Sequence, residues 1–258
     1  MSFASLLDIE LKKIRRSKII MLLFVAVVIL WLPAILNTNY SFETDAAIGI
    51  APEYNFLVQG FLALAWFMYP ASMVVSTVLL KQLERTNKGM LKMLALPISS
   101  AKLCLTKFFI LLLLAGLQLL LNFGVYYAGA ALVSQRFAYN FLLPPLFVLK
   151  ETGLLFLAAI PMLAFFWLLA VTIQTPIFSI GVVLASIMPS ILMINTKYWL
   201  FYPMSYPFYL MTAEYCKLAA NLGSAEMTLI PWIPIATGIT VSCLILACLR
   251  FGQAERNC

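Results

Sequence analysis

Residues 152–196 read TGLLFLAAIPMLAFFWLLAVTIQTPIFSIGVVLASIMPSILMINT, 45 residues without one charged side chain. As a single helix this run would be about 68 Å long at about 1.5 Å per residue, more than twice a hydrocarbon slab of about 30 Å. It therefore reads as two spans, folded back at Gln174-Thr175-Pro176. Working outward, four further uncharged runs, Ile19–Leu36, Tyr54–Leu80, Phe108–Gln135 and Met227–Leu249, are each long enough to cross once. The chain is predicted to be all-α and polytopic, with six transmembrane helices. Composition agrees, since 64% apolar and 10% charged residues is far from the roughly 25% charged of a soluble domain. A charge at a helix centre costs about 2.5–3.5 kcal/mol on insertion scales, so the charges map the loops.

Six spans place both termini on one side, and the basic residues say which. Lys12, Lys13, Arg15, Arg16 and Lys18 precede the first span, Lys81, Arg85, Lys88, Lys92, Lys102 and Lys107 follow the second, and Arg250 and Arg256 follow the sixth, 13 of the 17 Lys and Arg. The opposite side holds Arg136, Lys150, Lys197 and Lys217 against Glu43, Asp45, Glu53, Glu151, Glu214 and Glu226, a net of −2. By the positive-inside rule both termini are cytoplasmic. The overall charge of +7 then reflects topology and anionic inner-leaflet lipid, and no nucleic-acid partner is expected. The first apolar run is expected to stay as an anchor and not to act as a secretory signal. It is long for a signal core and ends at Trp31-Leu32-Pro33 without a small-x-small cleavage site.

Residues 1–18 are predicted to form an amphipathic helix lying flat in the headgroups, with Phe3, Leu6, Leu7, Leu11 and Ile14 at helical spacing. The acidic stretch Asn37–Glu53 reads as an irregular link. The richest cytoplasmic segment is 81–107, KQLERTNKGMLKMLALPISSAKLCLTK, where Leu83, Met90, Leu91 and Leu94 share one helical face and Arg85, Lys88 and Lys92 another. Gly89 weakens that short helix by about 1 kcal/mol relative to Ala, and Pro97 stops it. So short a helix is marginal alone and is expected to dock on something, the simpler reading being a solvated basic loop. On the other side, 197–226 carries Tyr198, Trp199, Phe201, Tyr202, Tyr206, Phe208, Tyr209 and Tyr215. Rings with a polar handle favour the headgroup boundary, so this stretch is expected to dip into the outer interface as short re-entrant helices broken at Pro203 and Pro207. It reads either as a substrate gate or as an aromatic belt. No stretch outside the spans reaches the size of an independent core, so residues 1–258 form a single membrane domain.

The absences are equally informative. There is no histidine, no HExxH or CxxC, and no G-x-x-x-x-G-K-[ST] phosphate loop. Metal sites, catalytic residues and a cofactor on this chain are therefore not expected, and ATP-derived energy must enter through a partner. The five cysteines make no disulfide framework. Span interiors offer Gln118, Asn122, Thr172, Ser179, Ser186 and Ser190 in place of the carboxylates that ion-coupled carriers use. Gln118 and Asn122, four apart, share a helix face and either bond between helices or touch a substrate.

The 81–107 segment resembles the signature of type-2 ABC exporter permeases: a Glu after the second span, a Gly, a short helix, a Leu-x-x-x-Pro turn and a Lys entering the third span. The matching residues are Glu84, Gly89, Leu91, Leu94, Pro97-Ile98-Ser99 and Lys107. Within the class, LLDIELKKIRRSKI and the stretch with Pro161, Trp167 and Pro176 look most like lantibiotic-immunity and bacitracin-export permeases. The resemblance implies a bacterial plasma-membrane exporter for a membrane-active peptide or another lipid-like or drug molecule. It implies two ATP-binding cassette subunits carrying Mg-ATP and a second permease subunit, identical or related. Glu84 and Arg85 would make charged contacts with the motor, Gly89 and Pro97 would shape the handle, and Leu91 and Leu94 would be its apolar knobs. Gln118, Asn122, Trp199, Tyr202 and Tyr206 are candidates for the substrate path. Two other classes stay open, a membrane scaffold or sensor that transports nothing and a membrane-embedded enzyme. A neighbouring gene for a small ATPase would separate them.

Overall fold

A computed structural model describes residues 3–15, 17–85, 99–173, 175–219 and 229–256, apart from the side chains of residues 4, 84, 85 and 252–256. Its elements are α1 (Phe3–Arg15), α2 (Ile19–Leu36), α3 (Asn39–Ile48), α4 (Pro52–Ala63), a π-helical turn (Leu64–Met68) and α5 (Tyr69–Arg85). There follow α6 (Ser100–Phe137), α7 (Pro145–Thr172), α8 (Pro176–Ile187) and α9 (Ser190–Met193). Two 3-10 turns (Lys197–Phe201 and Pro203–Ser205), α10 (Tyr206–Leu218) and α11 (Leu229–Arg256) complete the described chain, which contains no strand. Six helical stretches are long and apolar enough to cross a membrane: Ile19–Leu36, Pro52–Leu83, Ser100–Phe137, Pro145–Thr172, Pro176–Met193 and Leu229–Phe251. The protein is an all-α polytopic membrane protein, and the fold-back expected at residues 174–176 separates α7 from α8.

Burial ranks the spans. The span of α7 is 61% buried, whereas those of α8 and α11 are each 22% buried, so α7 is the central post and the other two stand at the rim. It packs on α11, α6 and α10, while α2 lies along α6 and α8 along α5. Small side chains on α7, Ala158, Ala159 and Ala164, are fully covered. With little hydrophobic driving force between helices inside lipid, close approach of small residues gains packing that larger ones would block.

The second span is continuous from α4 to α5 only because it widens at Leu64–Met68. Pro70 has no N–H to offer the preceding turn, and the Tyr69 N–H reaches back five residues to the Leu64 carbonyl. One residue pair sets the packing of the first two spans. A Cβ built on Gly60 would lie 2.4 Å from the Trp31 ring, so only glycine lets that indole rest on the α4 backbone. Trp31 is fully buried, against Phe56 at 5.4 Å and Tyr126 at 5.5 Å between ring centroids.

Two local expectations are corrected. The link 37–53 is not irregular: Asn39–Ile48 is helical, ended by Gly49 at φ 68°. Phe42 of this helix packs on Phe137, Tyr139 and Phe141, which supplies the burial that short helices need. Pro207 does not break a helix but begins one, in the first turn of α10, where its missing N–H costs nothing. The α1 stripe also divides: Leu6, Glu10 and Ile14 face the bundle, whereas Phe3 and Leu11 stay exposed.

Candidate coupling and transport site

At the end of the bundle that carries the termini, called here the basic end, two polar ties flank the 81–107 segment. On one side Lys81 of α5 donates to the carbonyls of Ala170 at 2.5 Å and Ile173 at 2.7 Å. The last carbonyls of a helix have no partner within it and carry the negative end of its dipole, so an ammonium there closes α7. On the other side Lys107 of α6, 1% exposed, reaches Glu10 of α1 at 3.4 Å, and Glu10 also accepts from Lys13 at 2.6 Å. The segment leaves from a helix tied to the central post and re-enters through a helix tied to α1. Glu84 and Arg85 end α5, but their side chains, like Gly89, Leu91, Leu94 and Pro97, lie outside the described residues.

In the bundle interior, Gln118 and Asn122 of α6 are both fully buried and reach different spans. Ser72 of α5 donates to Gln118 Oε1 at 2.6 Å, and Trp31 Nε1 donates to Asn122 Oδ1 at 2.8 Å. Gln118 Nε2, Asn122 Nδ2 and the Tyr69 hydroxyl have no hydrogen-bond partner among the described residues. In this conformation the two amides join the first three spans and line no open passage.

At the opposite end Trp199, Tyr202 and Tyr206 come together. Trp199 stacks on Tyr209 at 4.0 Å and 12°, and meets Tyr206 edge-on at 6.1 Å. Tyr206 in turn meets Trp232 of α11 at 5.8 Å. The Tyr206 hydroxyl donates to the Leu200 carbonyl, and the Tyr202 hydroxyl to the Ser186 carbonyl. Burial pushes the Tyr206 phenol up to about 12 and raises those of Tyr202 and Tyr209, so all three stay neutral donors at ordinary pH. The aromatic segment is thus a cap over the ends of α7, α8 and α11, and Gln118 and Asn122 are not part of it. Beside it, Tyr139 donates to Glu53 at 2.5 Å, and this bond, with burial and the Glu53 charge, pushes its phenol up to about 12.

Several polar residues gave no sequence signal. Glu151 sits at the edge of an uncharged run, yet its side chain is buried within α7, with the Lys150 ammonium 3.5 Å away and no hydrogen bond to either oxygen. Glu10 of α1 is buried as well, at 3% exposure. Cys104, buried on α6, accepts from Trp167 at 3.2 Å. Cysteines 104, 216, 243 and 248 are free, and no group of His, Cys, Asp and Glu able to hold a metal occurs among the described residues.

Six spans with amphipathic and aromatic caps define a multi-pass membrane protein. Residues 6–190 match the family described as ABC-2 family transporter protein, well over half of the chain, and the protein belongs to that family. The match ends before the aromatic cap and the last span. No curated protein and no solved structure matches the chain. The protein is therefore a membrane component of an ABC transporter, of a family that works with a separate ATP-binding subunit and is not itself the ATPase.

Proposed function

We propose that this permease is a transmembrane subunit of an ATP-driven exporter that expels a lantibiotic or a similar membrane-active peptide from a bacterial plasma membrane. Two such permeases, identical or related, would sit on two ATP-binding cassette subunits loaded with Mg-ATP. The observation that carries the reading is the double tie at the basic end. A pull on the segment between Lys81 and Lys107 would pass through one lysine to the most buried span and through the other to α1. Glu84, Arg85, Leu91 and Leu94 are the proposed points of contact with the motor, with Gly89 and Pro97 shaping the handle. An uncharged span interior suits an amphipathic or lipid-like cargo, and the aromatic cap with Trp199, Tyr202 and Tyr206 is the proposed exit gate.

Affinity purification of the tagged chain from its native membrane, followed by mass spectrometry, tests the assembly; a stoichiometric ATPase is the expected result. Leu91→Asp should abolish substrate-stimulated hydrolysis and raise sensitivity to the exported peptide. Full resistance in that variant would remove the handle from this role. The sealed contacts of Gln118 and Asn122 favour a second reading, a non-transporting scaffold or sensor. Peptide accumulation in inverted vesicles with ATP separates it from transport.

A further inference from the structure

Among the described residues, apolar grooves open between α2 and α6, between α7 and α11 and between α2 and α5, and the last differs from the others in chemistry. Between α2 and α6 a groove of about 560 Å³ is walled by residues such as Phe24, Leu32, Leu120 and Leu132. Between α7 and α11 a second, of about 360 Å³, is walled by Leu157, Ile160, Ile233 and Val241. Neither has a charged side chain in its lining, so nothing in them selects an occupant. The third, of about 510 Å³, lies where the start of α2 meets the end of α5, and its lining runs from Ser17 and Lys18 to Met21, Leu22, Val25 and Leu79.

That lining has a polar head and an oily tail. Lys18 is exposed and pairs with no acid among the described residues. The helix that starts beside it has no acid in its first turn; the Ser17 hydroxyl accepts the first N–H, that of Ile19, at 3.4 Å, and the positive end of the helix dipole adds to the lysine charge at that point. From Lys18 to Val25 the wall descends seven residues, about 10 Å at about 1.5 Å each, against about 15 Å for one leaflet of hydrocarbon. Met21 and Val25 remain open to a neighbour along this descent, at 65% and 42% exposure. An ammonium at headgroup level above an apolar trough of this depth is complementary to one kind of molecule.

We infer that this groove holds an anionic glycerophospholipid of the leaflet at the basic end, with the phosphate on Lys18 and the α2 N-terminus and an acyl chain along Met21, Val25 and Leu79. The lipid would wedge between the first span and the helix that leads into the 81–107 segment. Its occupancy would set how freely α5 moves against α2.

The test uses the full chain in detergent, stripped of lipid and titrated with phosphatidylglycerol or phosphatidylcholine of the same acyl chains under native mass spectrometry. Phosphatidylglycerol should be retained in preference to phosphatidylcholine. Lys18→Gln should weaken the former by about fivefold, the equivalent of the about 1 kcal/mol that one lysine contributes near an anionic surface, and leave the latter unchanged. Val25→Trp, which fills the trough, should weaken both. Equal retention of the two lipids by the unaltered protein, or no effect of Lys18→Gln, overturns the assignment, as does competition by inorganic phosphate alone. A photoreactive side chain at position 21 should yield a lipid adduct in membranes, and capture of a second copy of the chain in its place would overturn the proposal. None of these outcomes depends on the identity of the exported molecule.

Discussion

Gly60 and Trp31 show how much a single position decides in this bundle. Replacing Gly60 with Ala puts a methyl group 2.4 Å from the indole, so the ring or the α4 backbone must shift, which strains the bond from Trp31 to Asn122. Overpacking of this kind costs about 1–3 kcal/mol, which should appear as a lower unfolding temperature and altered tryptophan fluorescence in detergent. The Glu10–Lys107 pair offers a second case. Glu10→Gln removes the carboxylate 3.4 Å from the buried Lys107 ammonium, with an expected cost of about 3 kcal/mol, and adding Lys107→Met should recover most of it. A double variant no more stable than Glu10→Gln would mean that the Glu10 contact does not set the cost of burying Lys107. Tyr139 supplies a pH signature. Its folded phenol is pushed from the ordinary 10.0 up to about 12, so the folded state holds the proton more tightly than the unfolded chain. The stabilisation is fully present below pH 10 and is lost as pH rises through about 12; a thermal-unfolding series over that window should slope downward, more shallowly in Tyr139→Phe.

At the scale of elements, the junction of α5 with α7 is the contact whose loss should be felt furthest away. Lys81→Met removes the donor to the Ala170 and Ile173 carbonyls, and hydrogen bonds to a charged group contribute about 1.5–3 kcal/mol. Hydrogen exchange should rise selectively at the end of α7 and the end of α5 while the aromatic cap stays protected. Uniform loss of protection would show that Lys81 supports the whole bundle and not this joint. The same element pair explains what sequence reading missed: Lys81 was legible as a loop charge, but its two acceptors lie about ninety residues further along the chain, and no local pattern announces them. The aromatic segment was legible as interfacial from its rings. Its closure over α7, α8 and α11 depends on Trp199 meeting Tyr209 and Tyr206 meeting Trp232, partners fixed only by packing.

For the whole molecule, reporter fusions at residues 90 and 258 should read as cytoplasmic and those at 140 and 220 as exterior, the reverse pattern being fatal to the orientation. Span number, the break at residues 174–176 and the preference of the chain for lipid were determined by sequence alone, because hydrocarbon penalises every charge and every unpaired backbone group within one linear stretch. Tertiary structure alone decided which span stands at the centre. It decided that Gln118 and Asn122 join different neighbours, and that Glu10, Lys107 and Glu151 are buried where their surroundings in sequence suggest a wet surface. The physical reason is that hydropathy is a sum over consecutive residues, whereas burial of a charge and satisfaction of a polar group depend on atoms brought together from distant parts of the chain.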